Sequence, residues 1–143
     1  MDDLKLARRR LIEGGLNLLA IKDGIVIFEG RSPGIRDLLY AIENIGEDLT
    51  GAALADRIVG RAAALLCAYA GIASVFAKVI SKGGVSVLVE NDIPCLFEEN
   101  VINISNADGS DVCPFEKLVS GVRDPSLAYG EIVKSIKKQE KSG

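Results

Sequence analysis

The sequence predicts an α/β protein, a three-layer α/β/α sandwich on a mixed sheet that is antiparallel at an N-terminal hairpin and parallel afterwards. Three observations predict it. Two apolar runs, Leu16–Ile21 and Ile25–Phe28, are joined by Lys22-Asp23-Gly24, and Asp-Gly between such runs is a strong hairpin signal. Downstream, strand-like runs alternate with helical spacing, and strand–helix–strand crossovers imply parallel pairing with right-handed connections. The apolar content is 48% with only 5% aromatic residues and no Trp, an aliphatic palette suited to helices packed on a buried sheet.

Taken in order, residues 3–13 space Leu4, Leu6, Ala7, Leu11 and Ile12 as one helix face, and Gly14-Gly15 ends it. The hairpin follows. Ser32-Pro33 supplies an N-cap with Pro at the first helical position, opening a helix that lines up Ile35, Leu38, Leu39 and Ile42 and ends near Gly46. A second helix is expected from about Leu54 to Tyr69, stopping before Gly71. Ala73–Ile80 is expected as a strand, and Ser81 then caps a helix through about Asn91 that Gly83-Gly84 weakens. Pro94 to Phe97 makes a short strand and Val101 to Ile104 another. Residues 106–110 form a loop, and Cys113-Pro114-Phe115-Glu116 opens a short helix. Asp124-Pro125 caps the last helix, whose Lys-rich tail, 134–143, is expected to fray. With no internal repeat and no linker composition, residues 1–143 are expected as a single domain.

Charge and cysteine usage narrow the function classes. The net charge is −3 and the pI about 5.0, so no basic excess or aromatic interleaving points to nucleic acid. Arg8-Arg9-Arg10 follows Asp2-Asp3 and suits a solvated helix face. No stretch approaches the roughly 20 apolar residues of a membrane span, and the charged N-terminus lacks signal-peptide character. Three irregularly spaced cysteines do not make a disulfide framework, and a reducing cytoplasm is the expected home.

The chain contains no histidine. That removes Ser-His-Asp and Cys-His nucleophiles and every imidazole metal ligand; no Cys-x-x-Cys exists to replace them, so neither a metal nor a cofactor is expected. Phosphate-loop and Gly-x-Gly-x-x-Gly patterns are also missing. The most pointed feature is Ala55-Asp56-Arg57-Ile58-Val59-Gly60-Arg61, expected as a helix opening. On a helix, Asp56 and Gly60 share one face, as do Arg57 and Arg61, and a glycine there suits a close backbone approach. Two readings stand side by side: a pocket edge touching a ligand, or an acid complementing the helix dipole above solvated arginines. Ser81-Lys82 is an N-cap that also suits an anion. Cys113 stands at a helix N-terminus, where a thiol is activated if exposed, with Glu116 placed as a capping-box partner. Cys67 and Cys95 sit among aliphatic residues and are expected in the core.

Residues 55–66 (Ala-Asp-Arg-Ile-Val-Gly-Arg-Ala-Ala-Ala-Leu-Leu), Ser81, Asn103 and Cys113-Pro114-Phe115-Glu116 together resemble an uncharacterised domain-of-unknown-function family of small prokaryotic proteins. The resemblance covers nearly the whole chain, with Asn106 an alternative match for Asn103. It implies a cytidine-deaminase-like fold. In deaminases the helix after the hairpin carries His or Cys with Glu, and the helix after the next strand carries two zinc cysteines. The resemblance maps these to Asp56-Arg57 and to Ser81-Lys82, neither of which offers a zinc ligand set, so zinc-dependent deamination is not expected.

The leading expectation is a metal-free domain that binds a nucleotide or other anionic metabolite through Asp56, Arg57, Gly60, Arg61, Ser81, Lys82 and Asn103. An alternative is a metal-free enzyme using Cys113 with Asp56 or Glu116 as acid and base. A third is an oligomeric structural or regulatory protein burying its aliphatic helices against a second copy.

Overall fold

The computed structural model describes residues 2–106 and 108–142; Ala107, in the expected 106–110 loop, lies outside them. Helix α1 (Asp3–Glu13) starts where the Asp2 carboxylate accepts the Leu4 amide at 2.9 Å, and it ends at Gly14. Strands β1 (Leu18–Lys22) and β2 (Ile25–Gly30) pair antiparallel. Their turn holds Asp23 and Gly24 at φ 52° and 79°, the positive dihedrals that a tight hairpin needs and that Asp-Gly supplies.

The second helix begins later than Ser32-Pro33 suggests. Helix α2 spans Arg36–Ile45, because Gly34 at φ +84° turns the chain out of helical geometry first. The expected cap is also reversed: the Ser32 amide donates to Asp37 Oδ2 at 2.9 Å. A short 3-10 turn, Gly46–Leu49, leads into strand β3 (Ala53–Val59).

Strand β3 is the principal correction. The expected helix from Leu54 is a strand to Val59, then Gly60, then helix α3 (Arg61–Ala70). Ala, Leu and Arg favour helix locally, but this segment lies between two other strands and is paired on both edges, which decides its state. Strand β4 (Ser74–Ser81), helix α4 (Lys82–Glu90) and strand β5 (Cys95–Val101) follow, and β5 absorbs the expected short strand and runs on to Val101. Helix α5 (Pro114–Leu118) is brief. Helix α6 (Pro125–Ser142) opens with the Asp124 carboxylate accepting the Ser126 amide at 2.9 Å. It runs helical to Ser142, and Lys, Gln and Glu in its last turns are good helix formers.

The described residues form a five-stranded sheet in the order β2-β1-β3-β4-β5. Pairs β2/β1 and β1/β3 are antiparallel; β3/β4 and β4/β5 are parallel. This is the mixed α/β/α sandwich read from the sequence. On one face α1 packs Leu4, Ala7 and Leu11 against Leu19, Ile21, Ala53, Ala55 and Phe76. The other face carries α2, α3, α4 and α6 over Leu18, Leu54, Val75, Ala77 and Ile80. Helix α3 is central there, and buried Ala62, Ala63 and Ala64 let its backbone lie close to its neighbours. Among the described residues, no helix is long and apolar enough to cross a membrane.

Candidate functional site

The parallel half of the sheet ends its strands at Val59, Ser81 and Val101; α3 and α4 start directly after the first two, and a loop leads from the third to α5. Open α/β sheets collect ligands at such carboxyl ends. Here a cleft of about 760 Å³ opens between the first turn of α3, the first turns of α4 and the wall carrying α5. Its lining includes Arg61, Ser81, Gly83, Asn103, Glu116 and Arg123.

Each element positions its side chain for a local reason. Ser81 ends β4 and caps α4, its Oγ accepting the Gly84 amide at 2.9 Å while the side chain stays buried. The glycine pair that weakens this helix in isolation has a packing role. A Cβ on Gly84 would stand 2.9 Å from the Val59 carbonyl oxygen, so glycine lets α4 seat against the end of β3.

Glu116 departs from its expected role. It does not cap its own helix beside Cys113. Its carboxylate reaches α3, accepting the Arg61 amide at 2.6 Å and the Ala62 amide at 2.7 Å. These are orphan donors of a helix start, and an anion there also meets the helix dipole favourably. The Cβ of any larger residue at Gly60 would lie 2.2 Å from Glu116 Oε1, which explains the glycine. Arg61 returns the tie, donating from Nε to the Val119 carbonyl at 3.1 Å and from Nη2 to the Val122 carbonyl.

Of the residues singled out from the sequence, Arg61, Ser81, Asn103 and Glu116 converge on the cleft. Asp56, Arg57, Gly60, Lys82 and Cys113 are not among its lining. Arg57 lies on β3 and fastens the chain, donating from Nε to the Leu16 carbonyl at 2.6 Å. Lys82 is exposed on α4. Cys113 is half-buried, and its amide donates to the Ile104 carbonyl at 2.9 Å. Asn106 holds its own loop, its Oδ1 accepting the Ser110 amide at 3.1 Å. The shared helix face proposed for Asp56 and Gly60 does not exist, because these residues belong to a strand and its exit.

Asp56 is nevertheless unusual. It is buried in the middle of β3, 8% exposed, with Oδ1 3.5 Å from the Ile58 amide. Burial pushes its carboxyl up to about 8; hydrogen bonds from the Ile58 and Arg57 amides oppose this, and the charge of Asp37 adds slightly to it. Burial likewise raises the Cys67 thiol strongly, with Asp56 contributing. Sequence reasoning missed the cleft residues Ser86, Glu90, Lys117, Ser120 and Arg123. No local signal marks them: Ser86 and Glu90 read as ordinary polar positions of α4, and only the path of the chain after β5 brings Lys117, Ser120 and Arg123 to the α4 side.

The observed element order also moves the deaminase correspondence by one helix. The helix after the hairpin is α2, which presents Arg36 and Asp37, and the helix after the next strand is α3, which presents Arg61 and Ala62. Neither start offers a thiol or imidazole, and Glu116 occupies the amides of α3. Among the described residues no group of three Cys, Asp or Glu side chains is arranged to hold a metal ion. The donor set does not fit the zinc that the fold implies.

Residues 6–136 match the family described as Domain of unknown function (DUF1893), and the chain belongs to that family. It is similar to the solved structure of a DUF1893 family protein from Thermotoga maritima, with 28% identity and a TM-score of 0.85 over 93% of this chain and 89% of that one. It also resembles a diaminohydroxyphosphoribosylaminopyrimidine deaminase/5-amino-6-(5-phosphoribosylamino)uracil reductase from the same organism. That likeness has 20% identity and a TM-score of 0.51, over 82% of this chain and 41% of the larger protein, and it shows a deaminase-like fold. No curated protein matches this chain in sequence.

Proposed function

We propose that this DUF1893 protein binds a small phosphorylated or otherwise anionic metabolite, of nucleotide size or less, in the cleft between α3, α4 and α5, without a metal ion. The observation that carries the reading is the cleft itself. Its volume of about 760 Å³ falls within the range of small-molecule sites, roughly 300–1,000 Å³. Its walls combine the cations Arg61, Lys117 and Arg123 with the hydroxyls of Ser81, Ser86 and Ser120 and the amide of Asn103.

The cations are not equivalent. Arg61 spends its Nε and Nη2 on backbone carbonyls. Arg123 pairs with Glu90 at 3.4 Å across an exposed contact, and Lys117 pairs with Asp111. Exposed pairs of this kind are weak and exchange readily for a ligand anion. Arg123 and Lys117 therefore meet the anion, while the serines and Asn103 suit ribose or sugar hydroxyls. Glu90 and Glu116 on the same walls favour a ligand that also carries donors over a bare polyanion.

Differential scanning fluorimetry with nucleotides, sugar phosphates and inorganic phosphate tests this. A ligand at 100 times its Kd adds about 2.7 kcal/mol to native stability, a shift of several degrees. The expected result is a rise in Tm for at least one phosphorylated compound that Arg123→Ala abolishes. No shift with any of these compounds, or an undiminished shift in the variant, would overturn the reading.

A further inference from the structure

The cleft wall formed by Val112–Arg123 is held to the molecule differently from the sheet and its flanking helices. Among the described residues of this stretch, Val119 alone is buried. Phe115, Leu118 and Val122 reach the core cluster from partly exposed positions, and α5 has no buried residue. Its polar ties to the sheet's flanking helices are the Glu116 carboxylate on the Arg61 and Ala62 amides, and the Arg61 guanidinium on the Val119 and Val122 carbonyls; its leading end is joined to the preceding loop by the Cys113 amide on the Ile104 carbonyl and by the Ser105–Val112 bridge. The exposed Arg123–Glu90 pair adds little.

Within itself the stretch is continuous. The Lys117 amide donates to the Cys113 carbonyl at 3.1 Å, the Val119 amide to Phe115 at 3.2 Å, and the Val122 amide to Val119 at 2.9 Å. Gly121, at φ +80°, turns the chain back toward α6. Few buried apolar contacts outward and continuous backbone bonds inward are the marks of a unit that opens separately from the global fold.

We propose that Val112–Arg123 is a strap that opens as one body, with Glu116 as its latch on the start of α3 and Arg61 as the matching hold. Opening uncovers the cleft from the α5 side. The amides released at Arg61 and Ala62 are helix-start donors, which water satisfies as the carboxylate leaves, so the opening strands no buried polar group. The inference extends beyond ligand binding and is read on the ligand-free chain, so its failure and a failure to bind are separate outcomes.

Hydrogen exchange with mass spectrometry on the whole chain tests it. The expected result is that the strap amides and those of Arg61 and Ala62 exchange together, at least about tenfold faster than the amides of residues 65–70. Glu116→Ala removes two charge-assisted bonds and quickens strap exchange by about tenfold to a hundredfold, leaving β1, β3 and β4 unchanged. Equal exchange in strap and α3, or a variant effect spread evenly over the sheet, overturns the proposal. Should the variant fail to fold, trypsin on the wild-type chain decides. Cutting after Lys117 or Arg123 ahead of Lys78 and Lys82 supports the strap, and cutting there only with global unfolding overturns it.

Discussion

Replacing Asp56 by Asn tests a strongly perturbed buried acid. Its carboxyl ordinarily titrates at 3.8 and is pushed up to about 8 by burial within β3. An acid raised in this way keeps its proton in the folded state at pH values where the unfolded chain has already lost it. The native state then binds more protons than the unfolded state between about pH 4 and pH 8, so stability falls as pH rises through that window. At about 1.4 kcal/mol per unit, the gap between 3.8 and about 8 bounds the penalty at about 6 kcal/mol. Relaxation and water entry reduce the realised value to several kcal/mol. That is a large share of the roughly 5–15 kcal/mol that holds a domain together.

The absence of histidine makes the signal clean, because no other side chain of ordinary pKa titrates between pH 5 and pH 8. Urea unfolding of wild type and Asp56→Asn at pH 5, 6, 7, 8 and 9 is the assay. Wild type should lose stability from pH 5 to pH 8 and the variant, neutral at position 56, should stay flat over that range; toward pH 9 both lose a little as the Cys67 thiol, kept protonated by burial, ionises in the unfolded chain. At pH 5, where the unfolded chain's acid is already mostly ionised, the variant should lead by about 2 kcal/mol, and the lead should widen at each step to pH 8. Parallel curves from pH 5 to pH 9 would falsify the account of Asp56 as a buried, protonated acid.

Two further outcomes follow from the site geometry. Gly60→Ala places a Cβ 2.2 Å from Glu116 Oε1, so the carboxylate must leave the α3 amides, at a cost of about 1–3 kcal/mol in a denaturant melt; in a Glu116→Ala background the same change should cost almost nothing, and additive effects would remove the coupling between these residues. Iodoacetamide on the native protein should label Cys95 and Cys113, both partly exposed, while Cys67, buried and with its thiol raised by burial, reacts only as the chain unfolds. Peptide mapping that finds Cys67 labelled as early as the others would contradict its place on the buried face of α3.

Much of the architecture is legible in local chemistry. Asp23-Gly24 specifies the hairpin because its positive dihedrals suit few other residue pairs. Ser81 marks the start of α4 because a hydroxyl there satisfies an orphan amide, and Asp124-Pro125 marks α6 for the same reason. The candidate site is legible only in part. Arg61, Ser81 and Glu116 carry polar groups beside a glycine or at expected caps, Asn103 is marked only by the family resemblance, and the four do meet in one cleft. Lys117, Ser120 and Arg123 look like any exposed polar residues until the chain is folded.

The segment from Ala55 to Arg61 shows where local chemistry stops. By itself the sequence determined that an acid, two arginines and a glycine lead into an alanine-rich helix, and that without histidine no imidazole takes part. Only the tertiary structure decided that Asp56 and Arg57 belong to a strand, because ladder bonds from β1 and β4 outweigh the helical preference of Ala, Leu and Arg. It also decided that Arg61 begins the helix under a carboxylate from 55 residues away. A contact between residues so far apart in sequence leaves no local trace, because its energy exists only once both elements are in place.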